Sequence, residues 1–589
     1  MSSEIPSNKQ QRTTYKFISD IEGWTGIDNQ VQTDRQDGWD GFGKVVLEPT
    51  AYYGKIDRNF GQFNDALMDF DPEPFKGLIL GATIPELQAA MNDGQLTSVT
   101  LTKFYLWRIG HYDIDKLNSV MALNPNALFL AHAADEQRKQ QSSIPALLGI
   151  PVLLKDNIAT DDEMHTTGGM AALLDWQPDH DAHIVTRLRE AGAVILGKAN
   201  LSENANYFTS DHPNGFSNLG GQTRNPYGFY SVLGSSSGSA VAAGAEFAAI
   251  TIGTETQGSI NAPAEMSSVV GFKPSIGLVS RDNIIPLGMS QDCAGPMAKS
   301  VIDAAITCNV LVDADRRDPL YTEVKDLPTL DYTDCLNPEY YQGIKVGIYQ
   351  QESSLHHTTW LADIKTALEQ SGIAYEIVTT LPTTEDAPEL DLNAEFKHQF
   401  AQLATAQKLP VASVAELVEF NSKAPLSRAV WGQDLIQSAA ESPVLATKCL
   451  EQAEQKRKAW QDAVSDYFND HNFDVLVTEN TLSYIYAPAG VPSVSVPFGY
   501  ETQDRSIACP WIEYFEGVES AIGAPVSAHV MAARFDDGKT LAIARAIELG
   551  RKSMVSRQHQ APDLAATLLI NEQAGAFSVH DAQQEKAAK

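Results

Sequence analysis

The chain has 589 residues, of which 43% are hydrophobic and 20% charged; that balance weighs against wholesale disorder and allows a large buried core. Its formal net charge of −32 at pH 7 repels phosphate backbones and anionic lipid, which disfavours nucleic acid and membrane surfaces as partners. Five cysteines (Cys293, Cys308, Cys335, Cys449 and Cys509) show no paired spacing, and this odd count fits a reducing compartment better than a disulfide framework. The opening "MSSEIPSNKQQRTTYKF" is polar throughout, and no later apolar run is long enough to span a bilayer. A soluble cytoplasmic protein, monomeric or homodimeric, is expected.

Residues 1–80 are aromatic, acidic and glycine-containing ("IEGWTGIDNQ", "RQDGWDGFG") without a sustained helical period, and read as an extension packed on the main body. The main domain is expected over 81–565, with a tail over 566–589. It opens with two amphipathic helices broken at Asn92-Asp93-Gly94, the second capped by Thr97 or Ser98. "ALLGIPVLLKDNIAT" is an apolar strand whose end presents Lys155, and "HIVTRLREAGAVILGKAN" is a helix followed by a strand. "SAVAAGAEFAA" reads as a small-residue helix, "AAITIGT" as a β-branched strand. A more variable region covers about 310–480, with strands at "IKVGIYQ" and "IAYEIVT" and helices at "WLADIKTALEQSG" and "KCLEQAEQKRKAWQDAVSDYF". "FDVLVTEN" and "GVPSVSVPFGY" return to buried strands, and "GKTLAIARAIELGRK" is a closing helix. Strands and helices that keep alternating predict an α/β fold: an α/β/α layered sandwich around one large mixed β-sheet.

The chemistry concentrates in "VLGSSSGSAVAAGAEFAAITIGTETQGSINAPAE", Val232–Glu265. Without a metal, cleaving a carboxamide bond requires a nucleophile, a base and an oxyanion site in one place. "GSSSG" satisfies the G-x-S-x-G nucleophile elbow at Ser236, but that pattern arises easily in a serine-rich loop. An elbow hydrolase also requires an acid and a histidine downstream, and His529 and His559 have no distinctive surroundings. The better candidate is Ser259, between the turn "GTETQG" and a helix starting near "INAPAE", where consecutive backbone N–H groups can converge on an oxyanion. Ser236, Ser237 and Ser239 read as turn or capping groups. His180 and His183 in "PDHDAH" suggest a metal, but no further ligand cluster accompanies them, and the flanking acids read as helix caps. Lys198 in "GKAN" reads as structural.

These features resemble the amidase-signature family, specifically its peptide-amidase-like branch. Ser235 in "GSSSGSA" and Ser259 in "GTETQGSI" lie roughly two dozen positions apart, as in the family's core motif. "GIPVLLKDN" resembles the family's lysine strand, and "GGQTRNPYG" the segment leading into the serine loop. "GFKPSIGLVSR", "IIPLGMSQDCAGPM", "EFKHQFAQL", "FDVLVTENT" and "APAGVPSVSVPFGY" extend the likeness from about residue 82 to about 560. The resemblance implies a triad of Ser259 as nucleophile, Ser235 as bridging serine on a cis peptide, and Lys155 as a base that burial keeps neutral. It further implies an oxyanion site from the backbone N–H groups of Thr256, Gln257, Gly258 and Ser259. No cofactor and no metal are implied, and the substrate is a small-molecule or peptide amide whose pocket walls come largely from 310–480. Glu255, Gln257 and Asn261 depart from the common pattern: a charged pair behind the loop is not expected, and substrate fit is where the departures at Gln257 and Asn261 should tell. Two other functions remain: the glutaminase subunit of a tRNA-dependent amidotransferase, and a non-catalytic binding protein on an amidase fold.

Overall fold

A computed structural model describes residues 60–228, 230–350, 357–389, 391–500, 524–552 and 564. Most of the N-terminal extension, the C-terminal tail, Cys509 and His559 lie outside these residues. The part of the extension that is described packs against the core through Phe63 and Ile79, both buried, and through Phe60 and Phe75.

The strands are β1 (Val120–Leu123), β2 (Pro151–Lys155), β3 (Val194–Ala199), β4 (Phe216–Ser217), β5 (Gly221–Gln222), β6 (Ile250–Glu255), β7 (Val270–Lys273), β8 (Cys293–Ala298), β9 (Val346–Tyr349), β10 (Tyr375–Val378), β11 (Val475–Thr478), β12 (Ser493–Tyr500) and β13 (Pro525–Ala532). Eleven of them form one sheet in the order β1-β3-β2-β6-β8-β7-β12-β13-β11-β9-β10, while β4 and β5 pair separately. The sheet is mixed: β2 runs parallel to β3 and β6, and β8 runs antiparallel to β6 and β7.

Side-chain alternation shows why helices must cover both faces. Val475 and Val477 of β11 share a core with Ile364, Leu541 and Ile547, from the helices His357–Gln370 and Asp537–Lys552. Leu476, between them, packs on the opposite face with Val464, Phe468 and Ile485, from the helices Ala446–His471 and Ser483–Ala489. A strand whose residues Val475–Val477 are apolar and buried on both faces requires such a sandwich. The fold is therefore the α/β/α sandwich expected.

Several local expectations hold in detail. Thr97 caps the helix Ser98–Arg108 by accepting from Thr100 N, and the preceding helix ends at Asn92. The acids around His183 behave differently. Ala182 occupies the N-cap of His183–Glu190 with no side-chain cap, while Asp181 accepts from Arg189 Nε at 2.8 Å and from Asp161 N at 2.7 Å. A nearby guanidinium and a loop amide outcompeted the helix start for the carboxylate. Among the described residues no helix is long and apolar enough to cross a membrane.

Candidate active site

Lys155 ends β2, and the parallel register with β6 (Val152 opposite Ile250, Leu154 opposite Ile252) brings both strands to the same edge of the sheet. The helix Ser237–Gly244 lies over β6. Three hydroxyls pin that segment down: Ser239 Oγ donates to Ile252 O at 3.1 Å, Ser237 Oγ to Leu233 O, and Ser236 Oγ to Thr254 O at 2.9 Å. Ser236 Oγ also accepts from Thr254 N at 3.1 Å. The turn-or-cap expectation is thus corrected for Ser236 and Ser239, which bind strand carbonyls, Ser236 providing no side-chain cap, whereas Ser237 makes a local turn contact. Gly253 makes this docking possible, because a Cβ there would lie 2.8 Å from Ser236 Oγ.

Ser235, immediately before, follows a cis peptide bond after Gly234. Its Oγ lies 2.7 Å from Lys155 Nζ. The same nitrogen donates to Thr254 O at 3.1 Å and Thr254 Oγ1 at 3.0 Å, and Asn157 Nδ2 donates to Thr254 Oγ1 at 2.9 Å. Lys155 is 0% exposed. Burial pulls its ammonium down from 10.5 to about 7, against the upward pull of Asp292 and Glu255. A neutral amine has two N–H donors and one lone pair; with both donors directed at Thr254, the lone pair is free for the Ser235 hydroxyl. Thr254 and Asn157 carry this arrangement and were not singled out from the sequence, although Thr254 lies inside the quoted turn region.

Beyond β6 the chain turns through Thr256–Ile260 into the helix Asn261–Met266. Gly258 adopts φ +83°, a left-handed conformation open to glycine. Glu255 organises the turn from beneath: its carboxylate accepts from Gly258 N at 2.9 Å, Ile260 N at 2.7 Å and Asn261 N at 3.0 Å. This refines the expected oxyanion set. The Gly258 N–H is already committed to Glu255, which leaves Thr256, Gln257 and Ser259 as the candidates. Ser236 N donates to Ser259 O at 3.1 Å, so the serine loop and the turn are tied together at the backbone. Ser259 is 7% exposed and Gln257 is exposed, whereas Asn261 is buried with its Nδ2 on Tyr486 Oη at 3.2 Å. Of the two departures tied to substrate fit, then, only Gln257 faces solvent.

The other candidates lie elsewhere. Lys198 Nζ donates to Ile158 O and, at 2.9 Å, to Thr166 Oγ1, bracing the loop that follows β2; burial brings its ammonium to about 8 despite Asp156. His529 pairs with Glu265 at 3.1 Å. His180 pairs with Asp179, and His183 with Asp313. Among the described residues no group of three or more His, Cys, Asp or Glu is arranged to hold a metal ion. A cavity of about 650 Å³ lies between the 281–290 loop and the helices Leu392–Gln407 and Ala446–His471, so the variable region supplies much of its wall.

Comparison with known proteins agrees with this architecture. A protein of Arabidopsis thaliana described as a probable amidase is 36% identical over 438 residues, covering 72% of this chain and 84% of that one. A glutamyl-tRNA(Gln) amidotransferase subunit of Alkaliphilus metalliredigens is 30% identical over 464 residues, covering 72% and 91%. Among solved structures, an amidase family protein from Bacillus anthracis superimposes with a TM-score of 0.78 at 33% identity, covering 88% of this chain and 99% of that one. The native peptide amidase from Stenotrophomonas maltophilia gives 0.74 at 35% identity, covering 82% and 99%. The amidase family model matches residues 100–483, and the chain belongs to the amidase family of hydrolases.

Proposed function

We propose that the protein is a serine amidase that cleaves a carboxamide C–N bond through an acyl-enzyme formed on Ser259. The observation that carries this reading is the Lys155–Ser235 contact of 2.7 Å in a site where burial brings the lysine to about 7. Ser259 Oγ attacks the carbonyl carbon, its proton passes to Ser235, and the Ser235 proton passes to Lys155 Nζ. The oxyanion is met by N–H groups of the turn, drawn from Thr256, Gln257 and Ser259. As the C–N bond breaks, the proton returns through Ser235 to the departing ammonia or amine. Water then adds to the ester by the same relay and frees the acid. Nucleophile, base and oxyanion donors all come from the chain, so the proposal invokes no metal or organic cofactor. Peptide amides are the first substrates to test, given the likeness to peptide amidase, with the cavity beside Met289 and Leu450 taking the substrate's distal part.

A panel of peptide C-terminal amides, aryl amides and fatty amides, assayed for ammonia or amine release with Ser259→Ala as control, tests the reading. A second reading, the glutaminase subunit of a tRNA-dependent amidotransferase, is favoured by the extent of the match to the glutamyl-tRNA(Gln) amidotransferase chain. It calls for copurification with two further subunits. A non-catalytic binding protein would resist labelling by a serine-reactive phosphonate.

A further inference from the structure

The loop Leu287–Asp292 joins the variable region to the oxyanion turn. On one side it is held by the helix Leu392–Gln407: Glu395 accepts from Ser290 Oγ at 2.6 Å and Ser290 N at 3.1 Å, and Gln399 Oε1 accepts from Met289 N at 2.8 Å. On the other side stands Asp292. Its carboxylate takes the N–H of Leu287 at 2.9 Å and of Gly288 at 3.1 Å, as a loop-forming aspartate does. It also makes a bond that loop formation does not need, accepting from Thr256 Oγ1 at 2.5 Å. Thr256 begins the turn that contains Ser259. Among the described residues, the charges of Asp292 and Glu255 favour the ammonium form of Lys155, and the charge of Asp292 also acts on Arg281 and Glu395.

We infer that Asp292 is a positioning residue for amide hydrolysis: it fixes Thr256, and with it the donors of the turn, and it adds a carboxylate to the surroundings of Lys155. This rests on Ser259 being the nucleophile and Lys155 the base. Asp292→Asn keeps the size and one acceptor oxygen but removes the charge, whereas Thr256→Val removes the hydroxyl and leaves the charge. Asp292→Asn is expected to lower kcat about tenfold or more at unchanged KM, because small misplacement of catalytic groups is costly. It also moves the acid limb of the kcat/KM profile down by about one pH unit, since a carboxylate that favoured the ammonium form is gone. Thr256→Val is expected to lower kcat while leaving the limb in place. An Asp292→Asn enzyme whose limb has not moved, whatever its kcat, overturns the inference, leaving Asp292 a loop former. If Asp292→Asn does not fold, parental kcat in Thr256→Val overturns it and reduced kcat supports it. Ser259→Ala run alongside separates the two levels: residual parental turnover there removes the underlying reading, whereas an inactive Ser259→Ala beside a parent-like Asp292→Asn removes this inference alone.

Discussion

Replacing Lys155 with methionine should inactivate the protein without lowering its thermal stability at pH 7. The lysine's folded value of about 7 against an ordinary 10.5 means that the unfolded chain binds the extra proton between those two pH values. The resulting penalty on the fold is complete below pH 7, about 5 kcal/mol in size, and fades as pH rises toward 10.5. Methionine removes the penalty and keeps most of the volume. The hydrogen-bond loss can be followed atom by atom. Thr254 O retains Ser236 Oγ, and Thr254 Oγ1 retains Asn157 Nδ2, so Ser235 Oγ bears the loss. One buried hydroxyl without a partner costs about 1–3 kcal/mol. The first term exceeds the second at pH 7, and the order reverses once the penalty has gone. Parent and Lys155→Met should therefore be melted at one fixed scan rate from pH 7 to pH 10, since unfolding of so large a chain can be irreversible. The mutant is expected to melt no lower than the parent at pH 7 and to lose ground steadily as pH rises. A mutant that melts far below the parent at pH 7, with the gap unchanged at alkaline pH, would refute the neutral-base assignment and make Lys155 a structural cation.

Ser259→Ala should abolish turnover, whereas Ser236→Ala, which loses only the clasp on Thr254, should keep a measurable rate and melt lower; the reverse pattern in a steady-state assay would return the chemistry to the elbow. The parent's kcat/KM should rise with pH along an acid limb centred near 7, where Lys155 loses its proton, and a profile flat from pH 5 to pH 9 contradicts that base. EDTA should leave turnover unchanged; a reproducible loss restored by one metal ion would count against the mechanism and return attention to His180 and His183.

The identity of the chain was legible locally. Alternation and apolar runs placed β2, β3, β6, β11 and β12 because each is a short run of apolar or alternating residues. The glycine-serine loop, the turn before Ser259 and the lysine at the end of its strand were visible for the same reason: their chemistry is written in contiguous residues. Other elements were not. β8, "CAGPMA", carries glycine and proline in its interior, which ordinarily argue against a strand; it is accommodated because Gly295 lets the Phe272 carbonyl approach to within 2.0 Å of where a Cβ would be. Only the tertiary structure decided how the site is assembled. Lys155 and Ser235 are 80 positions apart, and the parallel pairing of β2 with β6 brings them together. The same holds for Asp292 on Thr256, across an antiparallel neighbour strand, and for Glu255, whose carboxylate bonds to Gly258 N only once the turn has closed. Sequence fixes which groups are available and which segments must be buried. Which of those groups meet, and so how far burial shifts a lysine, depends on strand register and helix docking, which no local pattern encodes.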